Sequence, residues 1–391
     1  MSERVATRVE RPLVLCVAAE ASGDTLLASL LPQLKALAPS VRWEGIGGPL
    51  SVNAGLVSHI NPKTLSAHGL TEALSVVPAM LNALKVMSEL LPEASALLLV
   101  DAPELNMRLL KRASRRSIPI AYLAPPQVWA WRPWRARTLR RASWLGCLFA
   151  FEERWFRQRG LRAEHIGHPL TSLVRQSQAT DDEGPCRLLL APGSRRSTVK
   201  ASLHLMLSAA LLAIHTRGAS FKRSIIIAVS PWVVEEVERQ LRPYKETLSA
   251  QGVQLSYWDQ LTPLRSPHRE RYLGICHAGT ATLELGLAQI PTVVIAPLSP
   301  LSTFIAKRFI RVPYFSLPNV ILKRRVFVEI DPEGTISRSI SDEVVKLSAH
   351  PNYNRTKSEL SSLSRVMKTQ DNDYLARKLI EVFHISRFFK T

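Results

Sequence analysis

The chain has 391 residues, of which 46% are hydrophobic, and it carries a formal net charge of +19. This length predicts two domains, and this composition excludes an intrinsically disordered protein. Cys16, Cys147, Cys186 and Cys276 stand apart, without the spacing of a zinc site or of a disulfide framework. The sequence shows neither a signal peptide nor an apolar run of about 20 residues that could span a bilayer. We therefore expect a cytoplasmic protein that is soluble or peripheral to a membrane.

The first half of the chain alternates short apolar strands with helical segments. Strands are predicted at 13–18, 96–100 and 118–123, and a helix is predicted from Thr25 to about Leu37. Continuous apolar strands separated by helices are typical of a parallel sheet covered on both faces, where ligands collect at the carboxyl ends of the strands. The residues predicted at those ends are Ser22, Gly23, Asp24, Asp101 and Gln127.

The second half repeats this pattern after a polar segment, 173–186, that predicts a linker. Strands are predicted at 187–191, 224–229, 272–276 and 292–296. We therefore expect an α/β protein with two Rossmann-like doubly wound domains, 1–172 and 187–370, facing a cleft. The last helical stretch, 371–391, is expected to pack back on the first domain or on a partner subunit.

Two turns of the second half indicate a phosphate site. Gly279 and Thr280 lie between a strand and a helix, where unpaired backbone N–H groups and the helix dipole favour a phosphate. Glu284 lies one turn further along, within reach of a ribose hydroxyl. Arg195 follows an earlier strand, and its guanidinium suits a pyrophosphate, so no metal is required. An ordinary turn with solvated side chains remains the alternative for each.

Arginine and tryptophan alternate between positions 129 and 144, and further basic clusters lie at 108–116, 154–162 and 307–325. Arginine interleaved with tryptophan is typical of contact with a membrane at the level of the headgroups. The same pattern suits a nucleic acid, and a solvated basic surface is the third interpretation. The residues concerned in the central cluster are Trp129, Trp131, Arg132, Trp134 and Arg135.

Short motifs follow one another over much of the chain, at 20–24, 69–72, 100–106, 126–132, 151–152, 166–169, 192–195, 279–284 and 316–319. The run Val128-Trp129-Ala130-Trp131-Arg132 is the most distinctive of them. In order and spacing these motifs resemble the bacterial lipid-A-disaccharide synthases, which are inverting glycosyltransferases of the GT-B type. The chain departs from the family pattern at Ala19, Thr198, Leu322 and Val328, among other positions, so we expect a divergent member.

The resemblance implies a reaction and a location. It implies transfer of 2,3-diacylglucosamine from UDP-2,3-diacylglucosamine to 2,3-diacylglucosamine 1-phosphate, forming a β-1,6 disaccharide and UDP in lipopolysaccharide biosynthesis. It implies no cofactor and a peripheral position on the cytoplasmic face of the anionic inner membrane, with no nucleic acid as partner and a homodimer left open. The alternatives are another UDP-sugar enzyme of GT-B type, either a glycosyltransferase or an epimerase, and a non-catalytic basic protein that binds nucleic acid.

The resemblance also implies roles for single residues. Asp101 matches the family's catalytic aspartate and would act as the general base, although a helix N-cap is the alternative for this position. Arg195 would stabilise the departing UDP. The other expected UDP-binding residues are Gly279, Thr280, Glu284 and Asn319. The expected acceptor-side residues are Ser22, Gly23, Asp24 and Gln127. The expected membrane- or acyl-facing residues are Trp129, Trp131, Arg132, Trp134 and Arg135.

Overall fold

A computed structural model describes residues 11–65, 73–130, 132–168, 170–177, 184–218, 220–297, 313–330, 336–367 and 370–385. These residues form two compact units. The first contains the described residues before 167 together with those from 370 onward, and the second contains those from 167 to 367. The N-terminal part of the first unit ends at Ile166, before the predicted boundary at 172, and the short helix at 170–173 belongs to the second unit.

The first unit is built on a seven-stranded parallel sheet. Its strands are β1 (Leu13–Ala18), β2 (Arg42–Ile46), β3 (Val57–Ile60), β4 (Ala94–Val100), β5 (Ile120–Leu123), β6 (Trp144–Cys147) and β7 (Ala163–His165). They lie in the order β3-β2-β1-β4-β5-β6-β7. Every residue of β1 is buried, with Leu15 in the hydrophobic core on one face of the sheet and Cys16 in the core on the other. Apolar side chains at successive positions thus fill both faces, as expected for a parallel sheet.

The helices of this part of the chain connect the strands and cover the sheet. They are α1 (Ala21–Leu37), α2 (Pro49–Asn53), α3 (Ala73–Leu90), α4 (Pro103–Ala113), α5 (Ala136–Leu139) and α6 (Ala150–Arg157). Helix α1 begins at Ala21 rather than at Thr25, directly after the turn that ends β1. Residues 21–24, predicted as part of a loop, therefore form the first turn of a helix.

The second unit is built on a six-stranded parallel sheet. Its strands are β8 (Cys186–Ala191), β9 (Phe221–Val229), β10 (Gln254–Asp259), β11 (Tyr272–His277), β12 (Thr292–Ile295) and β13 (Val328–Ile330), in the order β10-β9-β8-β11-β12-β13. Its helices are α7 (Leu170–Leu173), α8 (Arg196–His215), α9 (Val234–Leu241), α10 (Lys245–Ala250), α11 (Thr280–Leu287), α12 (Leu317–Leu322), α13 (Ser337–Ser348) and α14 (His350–Val366). The two parallel α/β sheets agree with the predicted fold class.

Helix α8 is, among the described residues, the helix long and apolar enough to cross a membrane. Half of its apolar stretch is buried within the unit. Leu203, Met206 and Ala210 are fully buried in the core of the second unit, and α8 packs against α13. The core helix of a soluble domain has this same character, so the helix is weak evidence for a membrane span.

The chain returns to the first unit with its last described helix, α15 (Asn372–Val382). This helix packs on α1 and completes the hydrophobic core on one face of the first sheet. Leu375, Leu379 and Phe383 are buried there. Asn372 also donates a hydrogen bond to the carbonyl of Ser29, at 2.9 Å.

Candidate functional site

The predicted site residues lie where the strand order of each sheet reverses. In the first sheet the reversal is between β1 and β4, and Ser22 and Asp101 follow these two strands. In the second sheet the reversal is between β8 and β11. Arg195 follows β8 and Gly279 follows β11. Open parallel sheets bind their ligands beyond the carboxyl ends of the strands at such reversals. Each unit therefore has its candidate residues at the position that the topology favours.

Asp101 stands in a strained turn directly after β4. Its φ is +50° and that of Ala102 is +44°, so two consecutive residues with side chains adopt the left-handed conformation. Such backbone costs free energy and persists only where the surrounding structure imposes it, typically at functional sites. Helix α4 has Ala102 as its N-cap residue, so Asp101 lies outside the helix start. The N-cap interpretation of Asp101 therefore does not apply.

Two buried side chains hold this turn in place. The amide of Asn106 donates to the carbonyl oxygens of Asp101, at 2.8 Å, and of Val17 and Val100, at 3.2 Å each. The hydroxyl of Tyr122, on β5, donates to the same Asp101 carbonyl at 2.8 Å. Side chains from α4 and β5 thus fix the carbonyl of Asp101. Neither residue is among the predicted site residues, although Asn106, a polar residue among buried apolar residues of α4, belongs to the motif at 100–106.

Ser22 and Gly23 contact Asp101 directly from the start of α1. The hydroxyl of Ser22 donates to Oδ2 of Asp101 at 2.5 Å. A Cβ atom on Gly23 would lie 3.2 Å from the carbonyl oxygen of Val100 and 3.5 Å from Cβ of Asp101. Gly23 therefore lets the first turn of α1 approach the end of β4, and Ser22 orients the carboxylate.

Asp24 has a different position from the one expected. It is 1% exposed, and its two carboxylate oxygens accept the backbone N–H groups of Leu50 and Ser51 at 3.1 and 2.9 Å. These N–H groups belong to the first turn of α2, where an acidic side chain is stabilising. The structure thus uses Asp24 to hold α2 rather than to face an acceptor.

The tryptophan-rich segment after β5 is partly anchored inside the first unit. The indole nitrogen of Trp129 donates to Oε1 of the buried Glu152 at 3.0 Å, and its ring packs edge-on against Phe151. Burial raises the pKa of Glu152 to about 7. Gln127 is exposed, at the end of the sheet where it was expected. Trp129 is therefore half-buried and held by the protein rather than presented to a membrane.

The remaining residues of this segment differ in exposure. Trp134 is 59% exposed, whereas Arg135 is half-buried and pairs with Glu104 at 3.1 Å. Arg132 adopts the left-handed conformation, with a φ of +55°. Trp131 lies outside the described residues. Of the expected membrane-facing residues that the structure describes, Trp134 offers the large exposed apolar surface.

In the second unit, Gly193 and Arg195 form the turn between β8 and α8. Gly193 has a φ of +100°, and a Cβ atom there would lie 2.7 Å from Oγ1 of Thr198. Thr198 in turn donates to the carbonyl of Arg195 at 2.7 Å. Thr198 stands where the family has an acidic residue, and its hydroxyl closes this first turn. Arg195 is exposed at the start of α8.

Gly279 and Thr280 form the corresponding turn between β11 and α11. Both are exposed, and a Cβ atom on Gly279 would meet nothing within 4 Å. Thr282 closes the turn by donating to the Gly279 carbonyl at 2.7 Å, and it accepts the N–H of Leu317 at the start of α12. The first N–H groups of α11 lack acceptors within the helix, and the space around the Cβ position of the preceding Gly279 is open, which suits an anion.

Glu284 lies one turn into α11 and is half-buried. Burial raises the pKa of its carboxyl to about 7, and the positive charge of Arg265 opposes this effect. The carboxyl group therefore titrates in the physiological range. Above its pKa it is mostly ionised, and it then accepts hydrogen bonds from hydroxyl groups best. The expected role of Glu284 as a ribose ligand stays a prediction.

Asn319 does not have the position of a donor ligand. It is 0% exposed, and its Oδ1 accepts the N–H groups of Val326 and Phe327 at 2.8 Å each. Its Nδ2 donates to the Phe327 carbonyl and to Oε1 of Glu329. All four hydrogen-bonding positions of the amide are therefore occupied within the protein. Asn319 thus links α12 to β13 by hydrogen bonds. It has this structural role instead of the expected contact with the UDP-sugar donor.

The candidate ligand groups of both units are carboxylates, a guanidinium and backbone N–H groups. Among the residues that the structure describes, no group of three or more His, Cys, Asp or Glu side chains is arranged to hold a metal ion. The second unit instead offers Arg195 and two helix starts to a phosphate-bearing ligand.

Comparison with known proteins decides the family. A family model described as lipid-A-disaccharide synthetase matches residues 14–381. The chain belongs to this family. It is 33% identical to the lipid-A-disaccharide synthase of Nitrosococcus oceani over 86% of this chain and 87% of that protein. It is 30% identical to that of Myxococcus xanthus over 85% and 87%, and 27% identical to that of Coxiella burnetii strain RSA 331 over 95% and 97%.

Solved structures share the fold. A UDP-glucosyltransferase from Polygonum tinctorium has a TM-score of 0.56 at 13% identity, covering 97% of this chain and 100% of that one. A UDP-GlcNAc 2-epimerase from Neisseria meningitidis bound to UDP-GlcNAc has a TM-score of 0.56 at 12% identity, covering 97% and 99%. These similarities show the GT-B fold alone. Family membership adds the activity, so the chain is a glycosyltransferase, a lipid-A-disaccharide synthase, and the epimerase and nucleic-acid alternatives are not favoured.

Proposed function

We propose that this chain transfers 2,3-diacylglucosamine from UDP-2,3-diacylglucosamine to the 6-hydroxyl of 2,3-diacylglucosamine 1-phosphate. The products are a β-1,6-linked disaccharide and UDP. The observation that carries the proposal is Asp101, a carboxylate held by Ser22 in a strained turn where the first sheet reverses its strand order. The match to lipid-A-disaccharide synthases over residues 14–381 supports the choice of substrates.

Asp101 acts as the general base in this proposal. Its carboxylate accepts the proton of the acceptor hydroxyl while that oxygen attacks the anomeric carbon from the face opposite the UDP. The bond between the anomeric carbon and the diphosphate oxygen breaks, and the electron pair leaves with UDP. The configuration at the anomeric carbon is thereby inverted. Ser22, which donates to Oδ2, keeps the carboxylate oriented for this proton transfer.

Residues of the second unit bind the leaving group in this proposal. Arg195 and the N–H groups at Gly279 and Thr280 bind the two phosphates, and their positive charge stabilises the developing negative charge of UDP. Glu284 accepts hydrogen bonds from the ribose. The support is the pair of turns at the ends of β8 and β11, with open space in front of Gly279.

The reaction is tested by UDP release from purified protein in detergent, with and without the acceptor. We expect release that depends on the acceptor, together with a disaccharide product, both abolished in Asp101→Asn. Asp342→Asn, an exposed carboxylate on α13, is the matched control and retains activity. Release independent of the acceptor would indicate a hydrolase, and interconversion of the UDP-sugar without release would indicate an epimerase; either contradicts the proposal.

We also propose that the first unit contacts the cytoplasmic face of the anionic inner membrane. Helices α4 and α5 pack together, and Arg141 donates to Ser114, so the basic clusters at 108–116 and 135–141 adjoin. Helix α3 packs on α4 and exposes Val77 and Leu81. Basic charge beside exposed apolar side chains suits an anionic lipid surface, and both substrates carry acyl chains and anionic groups.

Membrane contact is tested by co-sedimentation with vesicles. We expect binding to vesicles that contain phosphatidylglycerol and little binding to pure phosphatidylcholine. The double variant Arg115→Glu, Arg116→Glu weakens it, whereas Arg355→Glu, an exposed arginine on α14, does not. Stronger competition by duplex DNA than by the anionic vesicles would contradict the membrane proposal. The mass of the detergent-free protein in solution tests the homodimer in the same preparation.

A further inference from the structure

His277 is the last residue of β11 and lies two positions before Gly279. It pairs with Ile295 in the sheet register, so its backbone is fixed by the neighbouring strand β12. The residue thus ends the buried strand that leads into the candidate phosphate turn. None of the roles described above uses it, although its side chain is mostly buried.

Ser202 determines which ring nitrogen of His277 carries the proton. The Ser202 hydroxyl, 0% exposed on α8, lies 2.8 Å from Nδ1 of His277. Among the described residues the hydroxyl has no other hydrogen-bond partner. It therefore donates to Nδ1, because the opposite arrangement would leave a buried O–H without an acceptor. On this assignment Nε2 carries the hydrogen, and it has no partner among the described residues.

The surroundings of His277 favour an anion. Burial and the neighbouring positive charge of Arg195 lower the pKa of the imidazole to about 4, so it is neutral at physiological pH. Helix α8 thus supplies both the hydroxyl that holds the ring and the arginine beside it. A neutral N–H donor near the exposed guanidinium of Arg195 adds a directed hydrogen bond without adding a buried charge.

We propose that Nε2–H of His277 donates a hydrogen bond to a diphosphate oxygen of the UDP leaving group. This inference rests on the proposed function, and it adds a specificity residue that recognises the diphosphate rather than the nucleoside. A hydrogen bond to a charged group is worth enough to change affinity by about tenfold or more. Its loss weakens the binding of UDP and leaves the binding of uridine unchanged.

The test is calorimetric titration of the full chain with UDP and, separately, with uridine. We expect His277→Ala to raise the Kd for UDP about tenfold with no change for uridine. His277→Gln, which keeps an N–H donor at a similar reach, recovers part of the affinity. Ser202→Ala, which frees the ring, shifts the Kd for UDP in the same direction. His215→Ala, at the exposed end of α8, is the matched control and leaves both constants unchanged.

The outcomes separate the two proposals. An unchanged Kd for UDP in His277→Ala, with UDP bound by the wild type, overturns the role of His277 and leaves the proposed function standing. Equal weakening of UDP and uridine in that variant shows a structural role and also overturns it. A wild-type chain that binds no UDP overturns the proposed function, and the inference about His277 with it.

Discussion

Gly279 and Gly193 occupy corresponding turns of the second sheet, yet an added methyl group meets different surroundings at each. At Gly279 it would point into open space, with a backbone conformation that alanine also adopts. We therefore expect Gly279→Ala to leave the melting temperature unchanged and to weaken UDP binding at least tenfold, because the methyl group occupies the space of the phosphate. Thermal melting and calorimetric titration of the same samples measure both effects.

Gly193→Ala is the comparison for that experiment. Its φ of +100° and the close Thr198 hydroxyl strain any side chain at this position. We expect a loss of about 1–3 kcal/mol in the free energy of unfolding. A fall in stability for Gly279→Ala as large as this one would contradict the open space described in front of Gly279.

The proposed role of Glu284 as a ribose ligand predicts that UDP binding depends on pH. Its pKa of about 7 means that the protonated form predominates below this value and accepts fewer hydrogen bonds from a ribose. We expect the protonation of Glu284 to lower the affinity for UDP by up to about tenfold in total as the pH is lowered from 8 to 6. In Glu284→Gln the affinity at pH 8 is lower, and the slope over this range is smaller because only the terminal phosphate of UDP still titrates. Parallel slopes for the two proteins would exclude Glu284 from ribose binding.

For single residues, the position in the fold could be predicted from the sequence, but the backbone conformation and the hydrogen-bond partners could not. The position of Asp101 after a buried strand was predictable, because hydrophobic patterning places the strand end. Its left-handed backbone was not, because hydrophobic patterning does not reveal the hydrogen bonds that Asn106 and Tyr122 donate to the Asp101 carbonyl. Asn319 and Asp24 have the chemistry of ligands, and only the structure shows that backbone N–H groups already occupy their oxygens.

At the scale of one element, the start of α4 depends on Asn106. Asn106→Ala removes three hydrogen bonds to buried carbonyl oxygens and leaves Tyr122 as the side chain that donates to the Asp101 carbonyl. We expect a loss of about 1–3 kcal/mol in the free energy of unfolding. We also expect a lower kcat with little change in KM for the UDP-sugar, because the proposed general base is misplaced while the proposed UDP site is intact. Steady-state kinetics at a temperature where the variant is folded separate these effects.

The start of α6 contains a buried acid whose charge destabilises the fold. The pKa of Glu152 is raised from 4.5 to about 7, so the folded chain retains a proton that the unfolded chain releases between these values. Its contribution to stability is therefore fully present below about pH 4.5 and is lost as the pH rises through 7, by up to about 3 kcal/mol. We expect Glu152→Gln to be more stable than the wild type at pH 8 and to show a smaller difference at pH 5. Urea unfolding at both pH values tests this.

The elements themselves were predicted unevenly, for a physical reason. Strands β1, β4, β8 and β11 are buried on both faces and appear in the sequence as continuous apolar runs. Strands β3 and β10 lie at the edges of their sheets, have exposed and half-buried residues, and gave no such signal. Because ligands collect beside the central strands, the part of the fold that patterning reveals is also the part that positions the site.

At the scale of the whole molecule, the core of the first unit and the proposed nucleotide site belong to different units. A substitution in that core is therefore expected to change stability without changing nucleotide binding. Leu379 is fully buried in the core of the first unit, whereas the proposed UDP residues belong to the second. We expect Leu379→Ala to cost about 2–5 kcal/mol in the unfolding of the first unit. The Kd for UDP remains unchanged at a temperature where the variant is folded. An equal loss of UDP affinity would show that the two units do not act independently in binding.

Helix α15 has a consequence for how the protein is made. Synthesis on the ribosome proceeds from the N-terminus, so β1 and α1 emerge long before the helix that covers them. The second unit lies between these segments in the sequence and is complete in the nascent chain before α15 has left the exit tunnel. The first unit is therefore the first to begin translation and the last to complete its hydrophobic core. A polypeptide truncated just before residue 370 would contain the whole proposed nucleotide site. It would also expose an apolar face of α1, and chaperones and proteases recognise such exposed apolar surface.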